Sequence, residues 1–175
     1  MTAVDAPALV VSTLDTPAGP LHVAVAPDGV VHRARFGAGP WDVLALPGTV
    51  VVEPGRLPGG VAEAVARYAA GEVDALDTVA VSQPGGPFRQ AAWLAMRSIP
   101  AGSTVSYAEL AARAGRPTAV RAAGSACARN LVAPFVPCHR VVRPDGTLGG
   151  YAYGLPAKAA LLEHERRAVA ARPAE

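Results

Sequence analysis

The sequence predicts an α+β protein: a small mixed α/β N-terminal domain over residues 1–83, and a helical C-terminal domain over residues 84–175 with a helix-turn-helix and an active-site loop. Three observations lead there. Apolar, β-favouring runs punctuated by turn signals fill the first third. Beyond residue 87, apolar residues recur at helical spacing between capping and stop signals. The charge balance also changes sign. Residues 1–87 hold four Arg and nine Asp or Glu, a balance of −5, whereas residues 88–175 hold twelve Arg or Lys and five acids, a balance of +7.

Each element has a local reason. Leu9-Val10-Val11, continuing into Ser12-Thr13, and Leu21 to Val25 read as strands. Pro27-Asp28-Gly29 is a turn signal, after which Val30-Val31 leads to Phe36 in a further strand. Residues 37–60 are rich in Gly and Pro and carry no clear element. Gly60 to Ala70 forms a short amphipathic helix, with Val61, Val65 and Tyr68 on one face. Ser82-Gln83-Pro84-Gly85-Gly86-Pro87 is the linker between the two domains. Phe88 to Ile99 is helical, with Phe88, Ala92, Trp93, Leu94 and Met96 at helical spacing, and Pro100-Ala101-Gly102 ends it. Ser106 caps a helix over Tyr107 to Ala114 that stops at Gly115. Pro117 sits in the first turn of the next helix, which runs to about Arg129. The pair gives a helix-turn-helix pattern, a weak signal alone because two core helices read the same way. A last helix covers Pro156 to about Ala168 and carries Glu163 and Glu165.

Composition narrows the function classes. At 175 residues the chain is long enough for a real core, and half of it is apolar. No uninterrupted apolar run approaches the ~20 residues of a membrane span. The N-terminus lacks a basic region followed by an apolar stretch, so no signal peptide is expected. Two cysteines, Cys127 and Cys138, lie eleven positions apart without a CxxC. A disulfide scaffold or a four-ligand zinc site is therefore not expected, and a cytoplasmic location is. His22 and His32 make no metal site by themselves. A basic half carrying a reactive motif points toward a polyanionic partner.

That motif is Pro137-Cys138-His139-Arg140-Val141, which sets a thiol beside the side chain best suited to take its proton. A thiol attacks only as thiolate, so Cys138 needs a proton acceptor. Neighbours in an extended segment point to opposite faces, so contact between Cys138 and His139 requires a turn or a bridging water. A carboxylate behind the imidazole would fix its tautomer, and Glu163 and Glu165 are the available acids. For a lone Cys-His pair the plainer reading is a buried small hydrophobe beside a satisfied core histidine.

The wider pattern weighs against that plainer reading. Phe88-Arg89-Gln90 with Trp93, Ile99 to Tyr107, Val120-Arg121-Ala122-Ala123-Gly124, Asn130, the Cys138 pentapeptide, Gly149-Gly150-Tyr151, Lys158, and Leu161-Leu162 through Glu165 follow in order. Over about residues 88–165 the sequence resembles the O6-alkylguanine-DNA alkyltransferases, which reverse DNA damage directly; residues 1–87 resemble them only loosely. The resemblance implies that Cys138 takes the alkyl group, that His139 deprotonates it through a water, and that Glu165 holds the imidazole. Asn130 would brace the loop. Tyr107 would help rotate the nucleotide out and assist protonation of the departing base, with Lys158 supporting the pocket. Backbone groups of Cys138, Val141 and Ala152 would contact the guanine edge, with Tyr151 and Tyr153 beside it.

Arg121 would fill the gap left in the base stack. Ala122, Ala123, Gly124 and Ala126 would allow close approach in the minor groove, and Arg116 would contact phosphate. The partner implied is double-stranded DNA containing O6-alkylguanine, met by a monomer with no cofactor and no metal, and with little sequence specificity. Nothing in the sequence helps cleave a carbon–sulfur bond, so the protein would be consumed in a single turnover. Two positions depart from the family pattern: Tyr153 stands where glycine is usual, and Leu131 follows Asn130 where proline is common. The same residues would also suit a helix-turn-helix regulator using Cys138 as an alkylation or redox sensor, which would bind a defined operator. A cysteine hydrolase would turn over repeatedly on an acyl substrate, and a binder that only flags lesions would lack the cysteine.

Overall fold

The computed structural model describes residues 8–37 and 52–173. The notable Gly- and Pro-rich stretch of residues 38–51 lies outside them. Strands β1 (Leu9–Thr16), β2 (Gly19–Val25), β3 (Val31–Phe36) and β4 (Val52–Pro54) form one sheet in the order β3-β2-β1-β4. The β1–β2 and β2–β3 pairs are antiparallel and β1–β4 is parallel. Leu9, Val11, Ala24 and Ala26 form a small apolar cluster of their own. Leu21, Val23, Val25, Val31 and Phe36 belong to the main core with Val61, Val65 and Tyr68. Those last three lie on α1 (Val61–Ala69), at the spacing the sequence indicated.

Helices α2 (Pro87–Arg97), α3 (Tyr107–Arg113), α4 (Val120–Ala128) and α5 (Leu155–Ala170) make up the second half. Two residues of β5 (Val105–Ser106) pair in parallel with β6 (Val141–Val142) and bring the start of α3 beside the segment that follows Cys138. Ser106 caps α3 with a reciprocal capping box: its side chain accepts from Glu109 N, while Glu109 reaches back to Ser106 N. Trp93 Nε1 donates to Ala126 O at 2.9 Å, which fixes α2 against α4.

Three sequence expectations change. Leu94 is exposed, because the buried stripe of α2 runs through Ala92, Trp93, Ala95 and Met96 instead. Pro117 lies in the turn before α4, which begins at Val120. The segment 82–87 is more than a tether. Val31 N donates to Ala80 O and Ser82 N to Val31 O, and the Gln83 side chain is buried. The same strand, β3, meets the far part of the chain at Ala34, whose N–H donates to Leu131 O at 2.8 Å. One apolar core therefore runs from Leu21 to Leu161 across the charge boundary.

The turn between β2 and β3 depends on a glycine pair. Gly29 has φ +87°, and a Cβ there would lie 2.8 Å from the Gly59 Cα. Gly29→Ala is expected to destabilise the fold by about 1–3 kcal/mol, seen as a lower denaturant midpoint at unchanged m-value.

Candidate active site

Cys138, His139 and Arg140 form a single 3-10 turn. The turn replaces the extended geometry that would have sent neighbouring side chains to opposite faces. All three side chains are buried, and their surroundings separate their roles. The Cys138 sulfur accepts from Asn130 Nδ2 at 3.2 Å and borders a cavity of about 240 Å³ lined by Tyr107, Gly124, Cys127, Ala128, Gly150, Tyr151 and Ala152. His139 Nε2 lies 2.8 Å from Glu165 Oε1. Its Nδ1 is buried and has no hydrogen-bond partner among the described residues. A carboxylate can only accept, so Nε2 carries the hydrogen and Nδ1 keeps its lone pair.

Glu165 is the hub. Its Oε1 accepts from Tyr68 Oη at 2.9 Å and Arg140 Nη2 at 2.9 Å; its Oε2 accepts from Arg140 Nε at 3.0 Å and Gly102 N at 3.4 Å. Arg140 Nη1 also donates to Ile99 O at 2.6 Å. Burial pushes the Glu165 carboxyl up, but the hydrogen bonds from His139 and Arg140 and the charge of Arg140 outweigh it and hold the group well below the carboxylate range. Burial lowers the His139 value, so the imidazole is neutral at rest. It raises the Cys138 thiol, against the opposing pull of Asn130 and Lys158. The pair therefore rests as thiol and neutral imidazole.

The cavity walls are held from behind. Lys158 is buried and donates through Nζ to Val141 O at 2.6 Å, Gly150 O at 3.3 Å, and Leu148 O, joining β6 to the loop before Tyr151. Gly149 lets that loop pass Tyr107: its φ is +70°, and a Cβ would come 2.9 Å from the Tyr107 hydroxyl. The Tyr151 hydroxyl is buried without a hydrogen-bond partner among the described residues. Tyr153 lies outside the cavity lining, edge-on to Phe36 and Tyr151 at 5.6 and 5.5 Å, with its hydroxyl 3.3 Å from Ala34 O. Val141 and Lys158 also stand behind the wall. Cys127, in contrast, lines the same cavity as Cys138, and burial pushes its thiol up to about 12.

On α4 the expected surface residues separate. Arg121 and Ala122 are exposed and Gly124 is half-buried at the cavity edge, but Ala123 and Ala126 face the core and present no outer surface. Arg116 is exposed, with its guanidinium 5.9 Å from the Phe88 ring. Glu163 is engaged by Arg166 and Arg167, away from the imidazole. Sequence reasoning gave no role to Arg140, Tyr68 or Gln83. Only Arg140 left a trace, as a charge between the apolar runs Phe135-Val136 and Val141-Val142. Among the described residues no group of His, Cys, Asp and Glu is arranged to hold a metal, and no helix is long and apolar enough to cross a membrane.

Comparison with known proteins is consistent with this geometry. Residues 87–167 match the family described as 6-O-methylguanine DNA methyltransferase, DNA binding domain. The methylated-DNA–protein-cysteine methyltransferase of Salmonella typhimurium is 45% identical over 108 residues, a match spanning 62% of this chain and 63% of that protein. The Mycobacterium tuberculosis protein of the same name is 39% identical over 154 residues, covering 88% of this chain and 90% of its own. The crystal structure of Mycobacterium tuberculosis OGT in complex with DNA superposes with a TM-score of 0.75 at 32% identity, covering 91% and 94% of the two chains. The O6-methylguanine-DNA methyltransferase of Pyrococcus kodakaraensis gives a TM-score of 0.67 at 25% identity, covering 90% and 98%. With similarity running along nearly the whole mycobacterial protein and through the Cys138 site, this chain belongs to the methylated-DNA–protein-cysteine methyltransferase family.

Proposed function

We propose that this protein repairs DNA by direct reversal, moving the alkyl group of O6-alkylguanine irreversibly onto Cys138. One observation carries the reading: the Cys138 sulfur borders a cavity while the next residue is a buried neutral imidazole backed by an ionised carboxylate. The lesion lies inside the base stack, so the nucleotide must be extruded at a cost of a few kcal/mol. Arg121, exposed at the start of α4, would occupy the space it leaves, with Ala122 and Gly124 beside the groove and Arg116 on phosphate. Ala123 would support that helix from its inner face.

In the transfer step the sulfur attacks the alkyl carbon and forms the S–C bond as the C–O6 bond breaks. The thiol proton passes through a water to His139 Nδ1. The electron pair left on the base takes a proton, with the Tyr107 hydroxyl at the cavity assisting, and neutral guanine returns to the duplex. Glu165 stabilises the imidazolium formed on the way. Backbone groups of Cys138, Val141 and Ala152 would hold the guanine edge, Tyr151 would offer a ring wall and its free hydroxyl, and Tyr153 and Lys158 would brace the loop. The product is a thioether with no group placed to cleave it, so each molecule acts once. Residues 84–175 would carry the DNA surface and the chemistry and residues 1–83 would brace them, in a monomer acting in the cytoplasm. A regulator sensing alkylation at Cys138 has no feature in its favour beyond the residues the two readings share.

Incubation with a duplex containing O6-methylguanine is expected to place one methyl on the Cys138 peptide per guanine restored, read by mass spectrometry of the digest. Cys138→Ala abolishes transfer while DNA affinity holds; transfer by that variant would overturn the assignment. The pH profile follows from the resting pair. The His139 value is lowered from 6.5 and that of Cys138 is raised from 9.0, so thiol and neutral imidazole coexist between those limits. The single-turnover rate should therefore be flat across neutral pH and fall only below pH 6.5, as His139 gains a proton and ceases to accept one.

A further inference from the structure

The segment 82–87 reads from sequence as a flexible connection, yet its Gln83 side chain is buried beside the reactive thiol's only side-chain hydrogen-bond donor among the described residues. Gln83 Oε1 accepts from Leu131 N at 2.8 Å, and Gln83 Nε2 donates to Asn130 Oδ1 at 3.1 Å. Asn130 Oδ1 also accepts from Val132 N at 3.1 Å. The backbone N–H groups of Leu131 and Val132 can only donate, so they settle which way both amides face. The Asn130 NH₂ group is thereby turned to Val136 O at 2.7 Å and to the Cys138 sulfur at 3.2 Å.

We infer that Gln83 is a positioning residue for the thiol, holding the Asn130 amide in the one orientation that donates to the Cys138 sulfur. Leu131 explains why this chain needs it. A proline after Asn130 would have no N–H and a fixed φ, whereas leucine brings a donor that needs an acceptor and a backbone that needs restraint. Gln83 supplies both functions: it accepts from that N–H and grips the neighbouring side chain. The grip is anchored on two further sides, by Gln90 Nε2 donating to Gln83 O at 2.8 Å and by the Ala34 N–H on Leu131 O. No segment has to move, and Gln83 touches neither substrate nor sulfur.

The inference rests on Cys138 as the nucleophile, and the test separates the two. In Gln83→Leu the single-turnover rate at saturating alkylated duplex is expected to fall about tenfold, because the sulfur's donor is left held by Val132 N and Val136 O alone and is less firmly aimed, while DNA affinity holds. The pH midpoint for iodoacetamide labelling of the Cys138 peptide, measured without DNA, should move upward, since the Asn130 hydrogen bond favours the thiolate. Lys158, the other group favouring the thiolate, is left in place. Adding Leu131→Pro to Gln83→Leu removes the orphaned N–H and restores stiffness, and should recover most of both rate and midpoint. Should Gln83→Leu fail to fold, Gln83→Glu keeps an acceptor for Leu131 and loses the donor to Asn130, and the same two shifts are expected. An unchanged labelling midpoint in the folded variant, or no recovery with Leu131→Pro, overturns the role of Gln83. A midpoint that shifts in a protein unable to take alkyl from DNA overturns the repair reading and leaves Gln83 standing.

Discussion

A carboxylate buried at zero exposure is the constraint around which this protein is built. Isolated, Glu165 would be neutral, since removing a charge from water costs more than any single neutral hydrogen bond returns. Arg140 contributes two donors to it, Tyr68 a hydroxyl, Gly102 a backbone N–H and His139 an imidazole. Those five donors reach the centre of α5 from α1, from the turn after α2 and from the 3-10 turn that holds the thiol. Arg140 and Glu165 cancel each other's charge, so the imidazole can remain neutral and keep a lone pair free.

This arrangement explains how the N-terminal sheet matters to chemistry carried by the other half of the chain. Tyr68 comes from the N-terminal part of the sequence and bonds the same oxygen as His139. The edge of β3 accepts and donates to residues 80–82 and meets Leu131, so the strand holds both Gln83 and the Asn130 loop in place. Tyr153 adds a third link, packing its ring on Phe36. Through Tyr153 the loop after Gly150 is tied to the sheet, with the ring on Phe36 and the hydroxyl 3.3 Å from Ala34 O. The cavity is therefore walled by residues from the second half and fastened by residues from the first.

Electrostatics at the site favours restraint over standing reactivity. Burial raises the Cys138 thiol, and the two side chains that favour its ionisation, Asn130 and Lys158, together with a backbone hydrogen bond at Cys138, only partly oppose that. A permanently ionised thiol would react with any small electrophile. In the proposed transfer, a neutral thiol beside a neutral acceptor would react only when a substrate fills the cavity and the developing imidazolium can lean on Glu165. If each molecule is spent by one transfer, as proposed, such a quiet resting state would preserve the nucleophile for its substrate.

Much of this was legible along the chain. Apolar β-favouring runs with turn signals placed three strands of the sheet, a period-3.6 pattern placed α1, Ser106 marked the start of α3, and the adjacent Cys-His pair marked the candidate site, because each of these signals depends on neighbours within a few residues. Leu94 shows where local reading ends: its spacing suits an apolar face, but the neighbouring helices pack on the other side of α2. Ala123 shows the same thing on α4. The amino-acid sequence by itself determined the element types and which residue could act as nucleophile, since backbone preference and thiol chemistry are properties of the residues themselves. Only the tertiary structure decided that Arg140 and Tyr68 share a carboxylate with His139, and that Gln83 turns the Asn130 amide toward the sulfur. Those contacts join residues 25 to 97 positions apart, and no local periodicity records what a buried charge or an amide will meet across a folded core.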